Sequence, residues 1–140
     1  MKQQPSKLKY KKNHKISKSF FYLKEQKKFL PYYGNYCLKA IEAGKLNYKQ
    51  IEACRKSVKR KIKRYGEVSI RVFTSYSITK KAVGIRMGKG KGNHSFWVCN
   101  VRAGQVICEV WGVNEFKAYI ALKGAVNKLP IKVKLFRINY

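Results

Sequence analysis

The stretch NYKQIEACRKSVKRKIKRYG, residues 47–66, contains the clearest helical pattern in the chain. Its apolar residues recur at spacings of three and four, which places them on one face of an α-helix. They are Ile51, Cys54, Val58, Ile62 and Tyr65. Gly44 is expected to break the chain before this helix. Asn47 and Gln50 can then form a capping box at its first turn, and Gly66 can end it.

The opposite face of this predicted helix is strongly basic. It carries Arg55, Lys56, Lys59, Arg60, Lys63 and Arg64. Cations near a helix C-terminus interact favourably with the helix dipole, so part of the pattern is ordinary capping. Six like charges on a few turns nevertheless repel one another when they face only water. We therefore predict that this face contacts an RNA backbone.

Alternating apolar and polar residues predict β-strands on both sides of the helix. Residues 35–41 alternate in this way before it, and residues 68–73 do so after it. Two further strands are expected at 96–101 and 106–111, and a turn at 102–105 would join them as a hairpin.

A second helix is predicted from Asn114 to about Lys128, where Pro130 stops it, and a last strand begins at Ile131. The residues expected to pack from this helix are Phe116, Ile120, Ala121 and Val126. Helices and strands are mixed without regular βαβ repetition. The predicted class is therefore α+β, with a mixed or antiparallel sheet and two helices.

A glycine-rich loop is predicted between two of the strands. Its residues are Arg86, Met87, Gly88, Lys89, Gly90, Lys91 and Gly92. Glycine allows positive φ and close backbone approach, so successive N–H groups can face an anion. No acidic residue occurs between Glu67 and Glu109 to offset the lysines. The loop is therefore predicted to lie against phosphate.

The enzymatic alternative for this loop is a nucleotide-binding P-loop, and the spacing argues against it. Gly84 and Gly88 are separated by three residues instead of four, and Lys89 precedes Gly90 instead of Ser or Thr. A second alternative is a flexible hairpin tip that is basic only because the whole chain is basic.

Composition indicates a polyanionic partner. The chain has 33 Lys and Arg against 6 acidic residues, a formal charge of +27 on 140 residues. At this charge a free enzyme would repel itself strongly. The chain contains no aspartate, six scattered glutamates and two distant histidines, so no catalytic constellation is visible. Hydrophobic residues make up 45% of the chain, which is enough for one folded core.

The four cysteines do not form a metal-binding pattern. No C-x-x-C pair occurs, and none has zinc-ligand spacing with His14 or His94. They are Cys37, Cys54, Cys99 and Cys108. We predict small buried thiols in a reducing compartment, with no metal, no cofactor and no disulfide framework.

Residues 1–32 are predicted to form a basic arm, and residues 33–140 a single RNA-binding domain. Lysines of the arm can neutralise phosphates while its aromatic rings stack on unpaired bases. The RNA-binding candidates here are Lys7, Lys9, Lys11, Lys12 and Lys15, and Arg71 is a further candidate in the domain. The aromatic residues are Tyr10, Phe20, Phe21, Tyr22 and Phe29. They could instead pack on the domain, and a mitochondrial presequence is the rival interpretation of the arm.

Several ordered motifs resemble the L-sixteen family of large-subunit ribosomal proteins. They are IEACRKS at 51–57, SIRVFT at 69–74, IRMGKGKGN at 85–93, KLPIK at 128–132 and QPSKLKYKKNHK at 4–15. The resemblance implies an α/β-hammerhead-type fold, no catalysis, and binding to rRNA near the elbow of A-site tRNA. It assigns residues 86–92 to a loop that reaches toward the peptidyl-transferase region and tRNA. Ala82 and Cys37 depart from the usual family residues, proline and glycine.

The predicted function is therefore that of a structural protein of the large ribosomal subunit. Its expected partners are rRNA, A-site tRNA and neighbouring ribosomal proteins, with no membrane and no homo-oligomer. The alternative is a free-standing RNA chaperone or accessory factor. Lysine greatly outnumbers arginine, as in very AT-rich genes, and the family-like start leaves no room for a presequence. We therefore expect an organelle-encoded protein of the mitochondrial ribosome; an AT-rich bacterial cytoplasm is the main alternative and a plastid a lesser one.

Overall fold

The computed structural model describes residues 4–17, 19 and 30–138. Phe20, Phe21, Tyr22 and Phe29, the arm aromatics expected to stack on bases, lie outside these residues. The elements in chain order are β1 (Tyr36–Ala40), β2 (Gly44–Asn47), α1 (Tyr48–Ile62), β3 (Glu67–Ile70), β4 (Tyr76–Lys80), β5 (Asn93–Val101), β6 (Val106–Trp111), α2 (Glu115–Val126) and β7 (Val133–Arg137).

The strands form two antiparallel sheets. One has four strands in the order β3-β6-β1-β7, and the other has three in the order β2-β5-β4. Every strand pair within them is antiparallel. The predicted α+β class is confirmed, with two helices and the antiparallel form of the sheet.

Helix α1 connects the two hydrophobic clusters of the core. Ile51 in its first turn packs with Leu46 and Val101 of the three-stranded sheet. Val58 and Ile62, further along the same stripe, pack in the cluster that covers the four-stranded sheet. The predicted apolar stripe is therefore confirmed from Ile51 to Ile62, and it holds both sheets to one helix.

The end of α1 differs from the prediction. The helix ends at Ile62, and Lys63 takes a positive φ of 57°, so Gly66 is not the left-handed stop. A Cβ on Gly66 would lie 2.6 Å from the Trp111 carbonyl oxygen, which makes close packing the reason for this glycine. Tyr65 lies beyond the stripe and is exposed. At the start, Gln50 accepts a hydrogen bond from the Asn47 N–H at 2.8 Å, as expected of a capping box.

The strand predictions need three corrections. Residues 44–47 form β2, so Gly44 begins a strand instead of only breaking the chain. The strand predicted at 68–73 ends at Ile70, and β4 follows separately at Tyr76–Lys80. The last strand begins at Val133 instead of Ile131. Local alternation shows which residues face the core, and it does not fix where a ladder of hydrogen bonds ends.

The predicted hairpin of β5 and β6 is wrong, because the two strands belong to different sheets. The turn at 102–105 exists, with a hydrogen bond from the Gln105 N–H to the Arg102 carbonyl at 3.2 Å. Beyond it the chain binds β1 instead: Gly104 donates to the Ala40 carbonyl, and Ala40 donates to the Gln105 carbonyl. Strand β6 is buried between β1 and β3. Its backbone N–H and C=O groups pair with these two strands, so none pairs with β5.

Helix α2 is confirmed, but its buried face differs from the prediction. The buried residues are Ala118, Ala121, Leu122 and Ala125. Phe116 and Ile120 are exposed instead, while Val126 packs at the edge of the core. Alanines let α1 and α2 approach closely, and the Ser57 hydroxyl of α1 donates to the Gly124 carbonyl of α2 at 3.3 Å. Larger side chains are therefore displaced to the outer surface.

All four cysteines are free and buried, as predicted. Burial raises the pKa of the Cys37 and Cys99 thiols to about 11, so both are neutral at physiological pH. Among the described residues, no group of His, Cys, Asp and Glu side chains is placed to hold a metal ion.

In the described part of the chain, neither helix combines the length and the apolar character needed to cross a bilayer.

Candidate nucleic-acid interface

The glycine-rich loop projects from the three-stranded sheet. Strands β4 and β5 pair in antiparallel orientation, with Lys80 opposite Asn93, and residues 81–92 connect them. Residues 81–91 are all exposed, and the Met87 side chain is 99% exposed. The loop thus joins two strands, as predicted, although the first of them is β4.

The two glycines at the tip of this loop are required by its backbone conformation and not by packing within the protein. Gly88 and Gly90 have φ values of 100° and 85°, and Lys89 between them has 50°. A Cβ on either glycine would meet no atom within 4 Å. Gly92 is different, since a Cβ there would lie 2.7 Å from the backbone of Lys80 at the base of the loop. The tip is therefore shaped for close approach from outside the chain.

The N-terminal segment lies beside this loop. The Lys12 ammonium group donates to the Lys91 carbonyl at 3.1 Å, and the Lys91 ammonium group donates to the Asn13 carbonyl. Pro5, Leu8 and other residues of the segment line a cavity of about 160 Å³ with Trp97 of β5. The structure thus brings Lys12 of the predicted arm site into contact with Lys91 of the predicted loop site, residues 86–92, while the other arm candidates, Lys7, Lys9, Lys11 and Lys15, lie in the same segment. We call this combined region the loop surface.

The second predicted site, the basic face of α1, is mostly exposed. Arg55 is the exception, because it forms a bidentate pair with Glu52, with contacts of 2.7 and 3.0 Å. That hydrogen-bonded pair lowers the pKa of the Glu52 carboxyl. The Lys59 ammonium group donates to the Gly66 carbonyl at 3.1 Å and so caps the turn after the helix. The exposed cations are Lys56, Lys59, Arg60, Lys63 and Arg64.

Arg71, a predicted rRNA contact, also pairs with Glu109, the centre of a buried anchor. The Glu109 carboxylate is fully buried and accepts the backbone N–H groups of Tyr32 and Tyr33 at 3.0 and 2.9 Å. The Arg71 Nε lies 3.1 Å from the same carboxylate. Tyr33 also packs on Trp111, with ring centroids 5.8 Å apart. This Glu109 anchor ties the start of the domain to the sheet.

Replacing Glu109 by glutamine is expected to lower the free energy of unfolding by about 2–3 kcal/mol. Glutamine offers one acceptor oxygen, so one tyrosine N–H loses its partner and Arg71 loses its counter-charge. Urea unfolding of the full chain measures the change. Glu115→Gln is the matched control, because its pair with Arg137 is exposed and such pairs contribute under about 1 kcal/mol. Equal losses of unfolding free energy in both variants would contradict the stabilising role of the Glu109 anchor.

Sequence comparison identifies the family. Residues 5–136 match the profile of the family described as "Ribosomal protein L16p/L10e". The chain belongs to this family. The family membership that the sequence motifs indicate is thereby confirmed over nearly the whole sequence.

Bacterial relatives agree with the assignment, and each is named "Large ribosomal subunit protein uL16". The protein of Buchnera aphidicola subsp. Cinara cedri is 41% identical over 129 residues, 92% of both chains. That of Blochmanniella pennsylvanica is 42% identical over 132 residues, 94% of this chain and 96% of its own. That of Thioalkalivibrio sulfidiphilus is 48% identical over 102 residues, 73% and 74% of the two chains.

Membership of the L16p/L10e family makes this chain a structural ribosomal protein and not an enzyme. It favours the ribosomal prediction over a free-standing RNA chaperone. The prediction of a mitochondrial ribosome gains no support from these relatives, which are bacterial.

Two features of these sites are not predicted from the sequence. The role of Glu109 was not predicted, although an acidic residue within the apolar strand VICEVW was a usable signal. The contact of Lys12 with Lys91 spans 79 positions of sequence, and no local pattern encodes it.

Proposed function

We propose that this protein binds large-subunit rRNA through the loop surface and the basic face of α1, and that loop residues 86–92 help to position A-site tRNA near the peptidyl-transferase region. Its relatives are named as large-subunit proteins, which supports rRNA and neighbouring ribosomal proteins as partners. The net charge of +27 supports the same partners, because a ribosome supplies phosphate on several sides of a small protein.

The observation that carries the tRNA role is the conformation of the loop tip. Gly88, Lys89 and Gly90 form three successive residues with positive φ, and the tip is exposed, with open space where a Cβ on either glycine would lie. The Lys81 ammonium group donates to the Gly88 carbonyl at 2.6 Å and supports this conformation from the base of the loop. Stable anchoring in rRNA favours ordered arginine forks, whereas close backbone approach to a ligand favours glycine. Lysine beside each glycine adds charge without a fixed hydrogen-bonding geometry. This combination suits a contact that forms and is released.

The rRNA contacts are proposed for the remaining basic residues. On α1 they are Arg55, Lys56, Lys59 and Arg60, and in the turn after it Lys63 and Arg64; in the arm they are Lys7, Lys9, Lys11, Lys12 and Lys15. Arg71 is proposed as a further rRNA contact, since its side chain is partly exposed while its Nε pairs with Glu109. An arm at 1–32 with a domain at 33–140 remains our division of the chain, and the mitochondrial ribosome remains a prediction beside the bacterial one.

Affinity for rRNA is expected to fall steeply with salt concentration. Each neutralised phosphate adds roughly −0.9 or less to the slope of log K against log salt, so engaging even a third of the cations gives a slope steeper than about −5. Filter binding of the full chain to large-subunit rRNA transcripts over a salt series measures it. A slope near −1 would show that most of the cations contact no phosphate and would contradict the proposal.

A further inference from the structure

The end of α1 and the outer side of α2 enclose a cationic groove of about 570 Å³. Its cations are Arg60, Lys61, Lys63 and Lys117, and its rings are those of Tyr65 and Phe116. No carboxylate lies among the residues that line it. Lys61 crosses from α1 to donate to the Ile120 carbonyl of α2 at 3.2 Å, so the groove is formed without a ligand.

The two rings in this groove are not covered by another element of the fold. Tyr65 is 67% exposed and Phe116 is 70% exposed, although the sequence pattern predicts both to pack inside the protein. The Lys117 ammonium group lies 4.4 Å from the centroid of the Tyr65 ring, so α2 contacts the turn that follows α1. Exposed apolar groups that are rimmed by polar residues mark interaction sites. The two exposed rings therefore indicate a binding site for a partner.

We propose that this groove binds unpaired nucleotides of RNA, with bases stacked on Phe116 and Tyr65 and phosphates against the surrounding lysines. The inference rests on the proposed rRNA-binding function and adds a site to it. A duplex presents only its backbone and groove edges, whereas an unpaired strand presents base faces that stack on aromatic rings. Four cations around two rings supply both contacts that such a strand needs.

The neighbouring cleft shows why a polyanion fits this groove better than a protein segment does. That cleft lies between α2 and β7, is lined by Leu122 and Leu135, and also borders Phe116. Its charges balance, because Arg137 pairs with Glu115 at 2.6 Å. An apolar side chain of a protein suits that cleft. The groove on the other side of Phe116 carries only positive charge, which selects phosphate.

Ring-to-leucine substitutions test the proposal, because leucine keeps apolar bulk and removes the stacking face. The full chain with Tyr65→Leu and Phe116→Leu is titrated with a single-stranded oligouridylate and with an RNA hairpin of the same length. We expect the double variant to bind the single strand about ten-fold or more weakly and the hairpin as before. Phe116→Tyr should retain binding. Phe73→Leu, at an exposed ring outside the groove, is the matched control.

Unchanged binding of the single strand, or an equal loss on both probes, would overturn the proposal. So would photo-crosslinking from position 116 in purified large subunits that reaches a protein and no rRNA. Failure of the underlying rRNA-binding function has a different signature, because the wild-type chain would then bind large-subunit rRNA transcripts with a log–log salt slope near −1, whatever the effect of the ring substitutions.

Discussion

The substitution Ile62→Asp is expected to unfold the domain, whereas exchanging four cations of the same helix and the turn after it for glutamine is expected to leave it folded. Ile62 is fully buried in the last turn of α1, in the cluster that includes Leu38, Val58 and Leu122. An unpaired carboxylate there costs several kcal/mol, a large part of the roughly 5–15 kcal/mol that stabilises a domain.

The four-cation variant replaces Lys59, Arg60, Lys63 and Arg64 by glutamine. Its expected effect is weaker rRNA binding with little loss of stability. Among the described residues, the one hydrogen bond that these side chains make is that of Lys59 to the Gly66 carbonyl, worth about 1 kcal/mol. Circular dichroism on heating measures folding, and filter binding measures affinity per folded molecule.

Two controls accompany this comparison. Ile62→Leu keeps the buried volume and should stay folded. Exchanging Arg60 and Arg64 for lysine keeps the charge and should retain most of the rRNA affinity. If the four-cation variant unfolded while its folded fraction bound rRNA normally, the two faces of α1 would be assigned the wrong way round.

Sequence predicted the parts of the fold that depend on local periodicity. The stripe of α1 is confirmed because residues three and four apart share a face whatever the rest of the chain does. Strand partners are not local. The turn at 102–105 was predicted, yet β6 pairs with β1 and β3, which lie far away in sequence. Alternation cannot distinguish a hairpin from a crossing between sheets.

At the candidate site, features that depend on residue type could be predicted from the sequence, and features that depend on distant contacts could not. The conformation of Gly88 and Gly90 follows from the residue type and is confirmed in their positive φ values. The role of Arg71 depends on Glu109, 38 positions away, and only the folded sheet brings them together. Phe116 is predicted to pack from the second helix onto the core. Alanines took that face instead.

The loop substitutions with the largest expected functional effect are Gly90→Val and the pair Lys89→Ala with Lys91→Ala. Valine strains a φ of 85° at the tip and obstructs close approach, yet it meets no atom of the protein within 4 Å, so folding should survive. Loss of both lysines removes the charges of the tip. Gly84→Val is the matched control for strain, because Gly84 has a φ of 84° and equally empty surroundings outside residues 86–92.

A-site tRNA binding by purified large subunits that carry these variants, measured together with occupancy of the protein, tests the central claim. We predict normal occupancy for Gly90→Val and for the lysine pair, with tRNA binding reduced about ten-fold, as expected from the loss of one or two charge-assisted contacts. Gly84→Val should bind tRNA more nearly as the wild type does. Normal tRNA binding by both loop variants at full occupancy would contradict the account and reduce the loop to a basic hairpin tip.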